Sequence, residues 1–252
     1  MRLQDKIAIV TGAGAGFGGG IARRFAEEGA HVIVNDINAT NADVVVADIR
    51  NNGGSAICVA GDVSSDGDTA ALVAGAVEAF GGLDIMVNNA GVPQRNMPME
   101  EVPEGAFDQI FNVNVKSLYW AAIHALPEMR KRGGGAFVNT SSTAALSPRA
   151  GLVWYNASKG AVNTITKGMA IELASDNIRV NAICPVAGET QMLAEFAGGE
   201  VTPEMRQMFL NSIPLGRFSQ PLDIANAALF LASDEAAMIT GVCMEVDGGR
   251  CI

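Results

Sequence analysis

The sequence predicts an α/β fold in which helices cover both faces of a parallel sheet. The first observation is that short β-branched runs alternate with longer segments of helical periodicity. Such alternation requires crossover connections, which produce parallel strands. The second observation is that the runs are apolar at nearly every position, as strands buried on both faces must be. The third is a composition rich in small and branched apolar residues and poor in aromatic ones.

Seven runs have the length and the β-branched content of strands. In chain order these runs are 6–11, 31–36, 55–60, 83–88, 135–140, 178–184 and 242–246. The segments between them have helical patterns, at 17–29, 40–52, 66–80, 104–131, 155–175 and 221–233. Pro127 lies inside 104–131, so we expect that segment to kink or to form two pieces, because proline lacks the N–H that a helix interior needs.

The segment 186–216 departs from this alternation. It contains Gly198, Gly199, Pro203 and Pro214 among apolar residues, which indicates a short helical excursion. We expect it to act as a lid over an apolar ligand, although a packed excursion fits the same pattern. The chain shows no linker, low-complexity stretch or repeat, so we expect a single domain over 1–252.

Charge and composition exclude several classes of protein. The formal net charge is −10, which argues against nucleic-acid binding and against binding to an anionic membrane. The four cysteines form no CxxC pair and there are two histidines, so we expect no metal site. The first residues do not resemble a signal peptide, and no apolar stretch reaches about 18 residues. We therefore expect a cytoplasmic protein.

The stretch TGAGAGFG, residues 11–18, follows the first strand and opens the first helix. Glycines at 12, 16 and 18 allow the backbone to approach a pyrophosphate, and the helix N-terminus presents free N–H groups. Glycines also suit plain tight turns, but their position between a strand and a helix predicts a dinucleotide site.

Asp36 ends the second predicted strand, about 20 residues after the glycines. A carboxylate at this point accepts hydrogen bonds from the adenosine ribose and repels a 2′-phosphate. Ala13, Ala15 and Ile37 supply no cation for such a phosphate. We therefore expect NAD rather than NADP, with a capping role for Asp36 as the alternative.

The stretch YNASK places Tyr155 and Lys159 one helical turn apart. Alone, this spacing is common on exposed helix faces. Four further stretches accompany it: TGAGAGFG, NNAG (88–91), NVNV (112–115) and NTSS (139–142). In this order they resemble the short-chain dehydrogenase/reductase family, and the similarity extends over essentially the whole chain.

The resemblance implies a single Rossmann-like domain with a seven-stranded parallel sheet in the order 3-2-1-4-5-6-7. It also implies a homotetramer and an NAD-dependent alcohol dehydrogenase or carbonyl reductase. The catalytic residues that it implies are Asn114, Ser142, Tyr155 and Lys159, with Ser141 as the alternative to Ser142.

The resemblance also indicates which residues bind the cofactor. These are Gly12, Gly16, Phe17, Gly18, Asp36, Ile37, Asp62, Val63, Asn88, Ala90, Gly91, Tyr155, Lys159, Pro185, Val186 and Thr190. Asn88 has a structural alternative, in which it ties neighbouring strands together. Pro185-Val186 departs from the Pro-Gly that is usual in the family, so Val186 is expected to narrow the pocket beside the nicotinamide.

The chemistry expected of these residues is hydride transfer between NAD and an alcohol carbon, with Tyr155 moving the proton. Tyrosine has a reference pKa of about 10. We expect Lys159 and the positive nicotinamide ring to lower the pKa of Tyr155 towards about 7. Ser142 would hydrogen-bond the substrate oxygen, and Asn114 would hold a water that links Lys159 to solvent.

The residues expected to contact the substrate are Gln94, Ser142, Ala144, Trp154, Tyr155, Val186, Met192 and Phe196. Most of these are apolar. Arg95 and Arg149 are close in sequence to these residues but lie in predicted loops, where we expect an arginine side chain to be solvated. We therefore expect a secondary alcohol or ketone, including cyclic, aromatic or sugar-like ones, rather than a strongly anionic substrate.

Three alternatives remain open. One is a 3-oxoacyl-[acyl-carrier-protein] reductase, which usually prefers NADPH and needs a basic docking patch. Another is an NAD-linked isomerase or dehydratase, which usually has a longer chain. The last is a non-catalytic NAD-binding protein.

Overall fold

The computed structural model describes residues 1–188, 191–197, 199 and 201–252. Within these residues, parallel strands form a seven-stranded sheet in the order β3-β2-β1-β4-β5-β6-β7. The strands are β1 (Ile7–Val10), β2 (His31–Val34), β3 (Ser55–Cys58), β4 (Ile85–Asn88), β5 (Gly135–Thr140), β6 (Ile178–Pro185) and β7 (Cys243–Val246). The predicted fold class and strand order are confirmed.

The helices alternate with the strands, as predicted. They are α1 (Gly16–Glu27), α2 (Ala39–Asn51), α3 (Asp66–Phe80), α4 (Glu104–Phe111), α5 (Ser117–Lys131), α6 (Val153–Leu173), α7 (Gln191–Ala197), α8 (Pro203–Asn211) and α9 (Pro221–Ala232). One apolar core joins the sheet to α1, α2 and α9. A second core joins its other face to α3, α5 and α6.

Strand β1 shows why these runs are apolar at every position. Ala8 and Val10 point into the core formed with α1, whereas Ile7 and Ile9 point into the core formed with α3. Side chains alternate between the two faces of a strand, so covering both faces removes every polar position.

The helical segment 104–131 is broken, but not at the proline. The break is a π-helical stretch, Asn112–Lys116, between α4 and α5, whereas Pro127 lies inside α5. The prediction of two helical pieces is therefore confirmed, but Pro127 is not the cause of the break. The amide of Asn114 is hydrogen-bonded to both backbone groups of Val92, which fixes the widened turn at this place.

The loops at the carboxyl ends of the strands form one edge of the sheet, where ligands bind in open parallel sheets. The excursion helices α7 and α8 lie at this edge, and Val186, Leu193, Ile213 and Phe218 form a small apolar cluster beneath them. Of the helices in the described residues, none combines the length and apolar character that crossing a bilayer requires.

Candidate functional site

A cavity of about 1030 Å³ runs along the carboxyl edge of the sheet. At one end it is lined by Asp36 and Asp62, and at the other by Phe196 and Phe209. Between them lie the glycine loop and Tyr155. The predicted nucleotide site and the predicted catalytic residues therefore lie in one continuous space.

The glycine loop requires glycine for two different reasons. Gly12 and Gly16 have φ of 58° and 55°, in the left-handed region that side chains other than glycine rarely adopt. Gly18 is needed for space, since an added Cβ would lie 2.3 Å from the carbonyl oxygen of Gly12. Gly12, Gly16 and Phe17 line the cavity, whereas Gly18 packs beneath the loop.

Asn89 fixes the position of this loop and was not among the predicted site residues. Its Nδ2 donates to the carbonyl oxygens of Thr11 and Gly12, at 2.9 and 3.1 Å. The Thr11 hydroxyl in turn accepts from the backbone N–H groups of Asn89 and Ala90, each at 3.0 Å. The sequence contained the signal, because Asn89 is the second asparagine of NNAG.

The described residues at the nucleotide end of the cavity fit NAD. Asp36, Ile37, Asp62 and Val63 all line it there. The basic side chains of described lining residues are those of Arg149, Lys159 and Arg250, which belong to the other end, so no described cation faces Asp36.

Asn88 plays the structural role that the sequence left open as an alternative. Its Nδ2 donates to Oδ1 of Asn139 on β5 at 2.9 Å, and Asn139 Nδ2 donates to the Thr166 hydroxyl on α6 at 2.9 Å. It does not line the cavity, whereas Ala90, Gly91, Pro185 and Val186 do. The assignment of Asn88 to the cofactor is corrected, because its buried amide joins β4 to β5. The predicted Thr190 lies outside the described residues.

Ser142, Tyr155 and Lys159 come together in the middle of the cavity. Ser142 lies near the Tyr155 phenol and lowers its pKa, and Lys159 Nζ lies 5.9 Å from the centroid of the Tyr155 ring. Lys159 Nζ also donates to the carbonyl oxygen of Thr140 at 2.9 Å. The Ser141 hydroxyl donates to the carbonyl oxygen of Lys159 at 3.1 Å, so Ser142 is the serine that meets the phenol.

The two titratable groups of this cluster are both shifted by burial. Burial raises the pKa of Tyr155 to about 12, against the lowering effects of the Ser142 hydrogen bond and the Arg149 charge. Burial also lowers the pKa of Lys159 to about 8. The expected lowering of the tyrosine pKa by Lys159 is therefore corrected for the protein alone, where the loss of solvent outweighs neighbouring charges.

Asn114 lies in the π-helical stretch and is 1% exposed. Its Nδ2 donates to the carbonyl oxygen of Val92 at 3.0 Å and to the Ser158 hydroxyl on α6 at 3.1 Å. It therefore links the loop after β4 to the helix that carries Tyr155. It is not among the residues that line the cavity.

Four predicted substrate contacts besides Ser142 and Tyr155 line the cavity: Ala144, Val186, Met192 and Phe196. Phe196 packs edge-on against the Tyr155 ring, with 5.0 Å between the centroids. Helix α7 of the excursion therefore contacts the proposed catalytic tyrosine directly.

Gln94 and Trp154 are placed elsewhere, which corrects the prediction that they contact the substrate. Gln94 Oε1 accepts from the backbone N–H groups of Trp154 and Tyr155, each at 3.0 Å, and its Nε2 donates to Gly151. The Trp154 ring turns away from the cavity onto Phe107, and its Nε1 donates to the carbonyl oxygen of Met99.

Arg149 is also placed differently from the expectation of a solvated loop arginine. It is partly buried and lines the cavity beside Tyr155. Arg250, which the sequence analysis did not single out, lines the same end. Nothing local in the sequence indicates that a residue so close to the C-terminus reaches this site.

Fold and cavity together define a Rossmann-type oxidoreductase architecture, and comparison with known proteins agrees. A family model described as enoyl-(acyl carrier protein) reductase matches residues 12–250. A 4-formylbenzenesulfonate dehydrogenase of Comamonas testosteroni is 48% identical over 252 residues, covering 100% of both chains. The chain belongs to the short-chain dehydrogenase/reductase family.

Two solved structures are similar to this one. A 3-ketoacyl-(acyl-carrier-protein) reductase from Brucella melitensis, complexed with NADH, has a TM-score of 0.93 at 44% identity and covers 99% of this chain and 100% of its own. A 7α-hydroxysteroid dehydrogenase complexed with NADH and 7-oxo glycochenodeoxycholic acid has a TM-score of 0.92 at 41% identity, covering 98% and 95%. The predicted class of enzyme, an NAD-dependent oxidoreductase, is confirmed.

Proposed function

We propose that the protein interconverts a secondary alcohol and its ketone, with Tyr155 moving the proton, Ser142 holding the substrate oxygen and NAD(H) as the cofactor. The observation that carries this assignment is the position of Ser142 near the Tyr155 phenol and Lys159, inside a cavity that continues to the glycine loop. A substrate oxygen placed between these two hydroxyls has a proton donor and a second hydrogen-bond donor.

The residues divide the work as follows. When bound, NAD supplies the hydride acceptor or donor. The neutral phenol of Tyr155 donates its proton to the ketone oxygen. In the opposite direction Tyr155 takes the alcohol proton as the phenolate, which the positive charges of Lys159 and of bound NAD would favour. Ser142 donates to that oxygen and stabilises the charge that develops on it. Lys159 places a cation beside the phenol ring, and Asn114 holds α6 in place and is proposed to hold a water next to Lys159.

The cofactor contacts are proposed along the rest of the cavity. The loop with Gly12, Gly16 and Phe17 would contact the pyrophosphate. The Asp36 carboxylate would accept the ribose hydroxyls and so select NAD over NADP. Ile37, Asp62 and Val63 would contact the adenine, and Ala90, Gly91, Pro185 and Val186 the nicotinamide half.

The substrate is proposed to be a compact ring-bearing alcohol or ketone. The relatives named above act on an aromatic aldehyde and on a hydroxysteroid, both of which contain rings. The described lining of Leu152, Val186, Met192 and Phe196 gives such a ring an apolar surface. A panel that includes a 3-oxoacyl thioester separates this proposal from a carrier-protein reductase.

Further features of the enzyme are proposals of the same kind. We propose that 186–216 forms a substrate lid within one domain, supported by the contact between Phe196 and Tyr155. We propose a cytoplasmic homotetramer. Exposed Tyr119, Ile123 and Ile171 on α5 and α6 support a further subunit contact there, whereas Ala170 packs in the core.

Replacing Tyr155 with phenylalanine tests the proposed function. We expect Tyr155→Phe to lower kcat by about 10²- to 10⁴-fold, because the proton route is lost while the ring still packs on Phe196. The measurement is NADH absorbance over an alcohol panel, with NADH binding followed by fluorescence. Tyr119→Phe is the matched control, since Tyr119 is 57% exposed on α5. Near-normal turnover by Tyr155→Phe would refute the assignment.

A further inference from the structure

Two arginines reach the substrate end of the cavity from different parts of the chain. Arg149 lies in the loop between β5 and α6, and Arg250 follows β7; both line the cavity together with Phe209 and Ser212. The Arg149 guanidinium carbon lies 5.3 Å from the centroid of the Phe209 ring. The backbone carbonyl oxygen of Arg149 accepts from Asn156 Nδ2 at 2.8 Å, which anchors the loop to α6.

Neither guanidinium is paired with an acidic side chain of the described residues. The Arg250 Nε is buried and has no hydrogen-bond partner among the residues that the structure describes. Burial lowers the pKa of Arg149, and the positive charge of Arg250 lowers it further. Two like charges held close together and partly out of water are unfavourable unless an anion joins them.

The surroundings of the arginines limit what that anion can be. Phe196, Met208 and Phe209 line the same end of the cavity and favour an apolar body. A guanidinium presents a planar fork of N–H donors that matches the oxygens of a carboxylate or sulfonate. Arg149, Arg250 and Tyr155 line the same cavity, so an anion bound by the arginines and a hydroxyl or ketone at Tyr155 can belong to one molecule.

We propose that Arg149 and Arg250 together bind an anionic group of the substrate, a carboxylate or a sulfonate, at the far end of an apolar body whose alcohol or ketone meets Tyr155. The inference rests on the proposed function, because it names the class of substrate for the same site. It replaces the expectation that the substrate is not strongly anionic.

Matched pairs of ketones test this inference. One pair is 4-acetylbenzoate and 4-acetylbenzamide; the other is 4-acetylbenzenesulfonate and 4-acetylbenzenesulfonamide. With NADH, we expect the wild type to prefer the anion by about 10- to 100-fold in kcat/KM in at least one pair, as a charge-assisted hydrogen bond predicts. Which pair shows the larger preference distinguishes a carboxylate from a sulfonate.

The variants assign the preference to the two side chains. In Arg149→Met and in Arg250→Met we expect the KM for the anion to rise by about tenfold or more, with little change in the KM for the neutral partner. Loss of the Arg149 charge near Tyr155 would change kcat for both ketones alike, so the KM is the quantity compared. Arg149→Lys should recover part of the preference, because it keeps the charge but not the fork. Arg95→Met is the matched control, since Arg95 is exposed and does not line the cavity.

A binding measurement keeps this inference separate from the proposed function. With NAD in place of NADH the ketones cannot be reduced, so calorimetry reports their dissociation constants alone. If no ketone is reduced but the anion binds more tightly and loses this advantage in both Arg→Met variants, the proposed function fails and the anion site stands. Equal binding of anion and neutral ketone by the wild type overturns the inference. A preference that survives in both variants, with folding checked by circular dichroism, also overturns it.

Discussion

The Asp36 carboxylate divides its two oxygens between two backbone N–H groups at the end of β2. Oδ2 accepts from Gly14 in the glycine loop and Oδ1 accepts from Asn38, each at 2.9 Å. An added Cβ on Gly14 would lie 2.8 Å from the same Oδ2, so the loop and the carboxylate fit closely. The shape of the glycine loop and the proposed selectivity for NAD therefore depend on one side chain.

Two substitutions separate these roles of Asp36. Asp36→Asn keeps an acceptor for Gly14 but removes the charge, so we expect the NAD/NADP preference to fall by about tenfold or more with little loss of stability. Asp36→Ala should show the same change in preference and also lower the melting temperature. Dissociation constants for both cofactors, with thermal melts, measure this. An unchanged cofactor ratio in Asp36→Asn would reject the assignment.

At the residue scale, spacing along the chain predicted which loop glycines and which helix residues line the cavity. Tyr155, Lys159, Gly12 and Gly16 line the cavity as their spacing indicated. Side-chain direction was not predictable in the same way. Trp154 directly precedes Tyr155 but turns to the other side of the helix, because adjacent helical residues point about 100° apart.

At the scale of the element, one glutamine positions the helix that carries the proposed catalytic tyrosine. The first N–H groups of a helix have no partner within it. Gln94 Oε1 accepts from those of Trp154 and Tyr155, at the start of α6. The side chain is 3% exposed and comes from the loop after β4, so it also joins that loop to α6.

Removing this cap should affect stability and catalysis together. We expect Gln94→Ala to cost about 1–2 kcal/mol of unfolding free energy and to lower kcat, since buried N–H groups lose their acceptor. Gln94→Glu retains an acceptor oxygen but loses the Nε2 donor to Gly151, so it should recover only part of both losses. Thermal melts and steady-state kinetics on the same samples measure this. If Gln94→Ala changes neither quantity, Gln94 does not position α6.

The elements themselves were predicted to within a few residues, except where a tertiary contact decides the backbone. The strand runs are β-branched and bounded by polar residues, so their ends are visible in the sequence. The π-helical stretch Asn112–Lys116 has no such signal, because the hydrogen bonds between Asn114 and Val92 bring together positions 22 residues apart. Pro127 was a visible signal, but α5 continues through it.

At the scale of the whole molecule, the parallel topology follows from the alternation of elements, and the strand order came from the family resemblance. What neither could predict is the meeting of Arg149 with Arg250. These residues are 101 positions apart in the sequence, and only the folded sheet, with α8 packed over its edge, brings both to one cavity. The proposed preference for an anionic substrate thus depends on tertiary structure.

The buried site also couples the stability of the whole protein to pH. Lys159 is 4% exposed and burial lowers its pKa from 10.5 to about 8. Between these two values the unfolded chain binds the proton and the folded protein does not, so stability rises with pH there. Burial shifts Tyr155 from 10.0 to about 12, and this has the opposite effect. Above about pH 10 the unfolded chain loses the phenol proton first, and stability falls.

Lys159→Met should therefore remove the rise of stability with pH that Lys159 causes and leave the fall that Tyr155 causes. Below pH 8 both states of the wild type carry the ammonium, and the folded state bears the full desolvation penalty, on the order of 3 kcal/mol. Methionine keeps the length of the side chain without the charge, so we expect the variant to be more stable than the wild type at pH 7 and the difference to shrink towards pH 10.

Urea unfolding of both proteins without cofactor, at half-unit steps from pH 7 to 10, measures this. Lys167→Met, an exposed change on the same helix, is the control. A constant difference between wild type and Lys159→Met across this range would show that the ammonium is not desolvated in the folded protein, and the electrostatic account of the site would then be wrong.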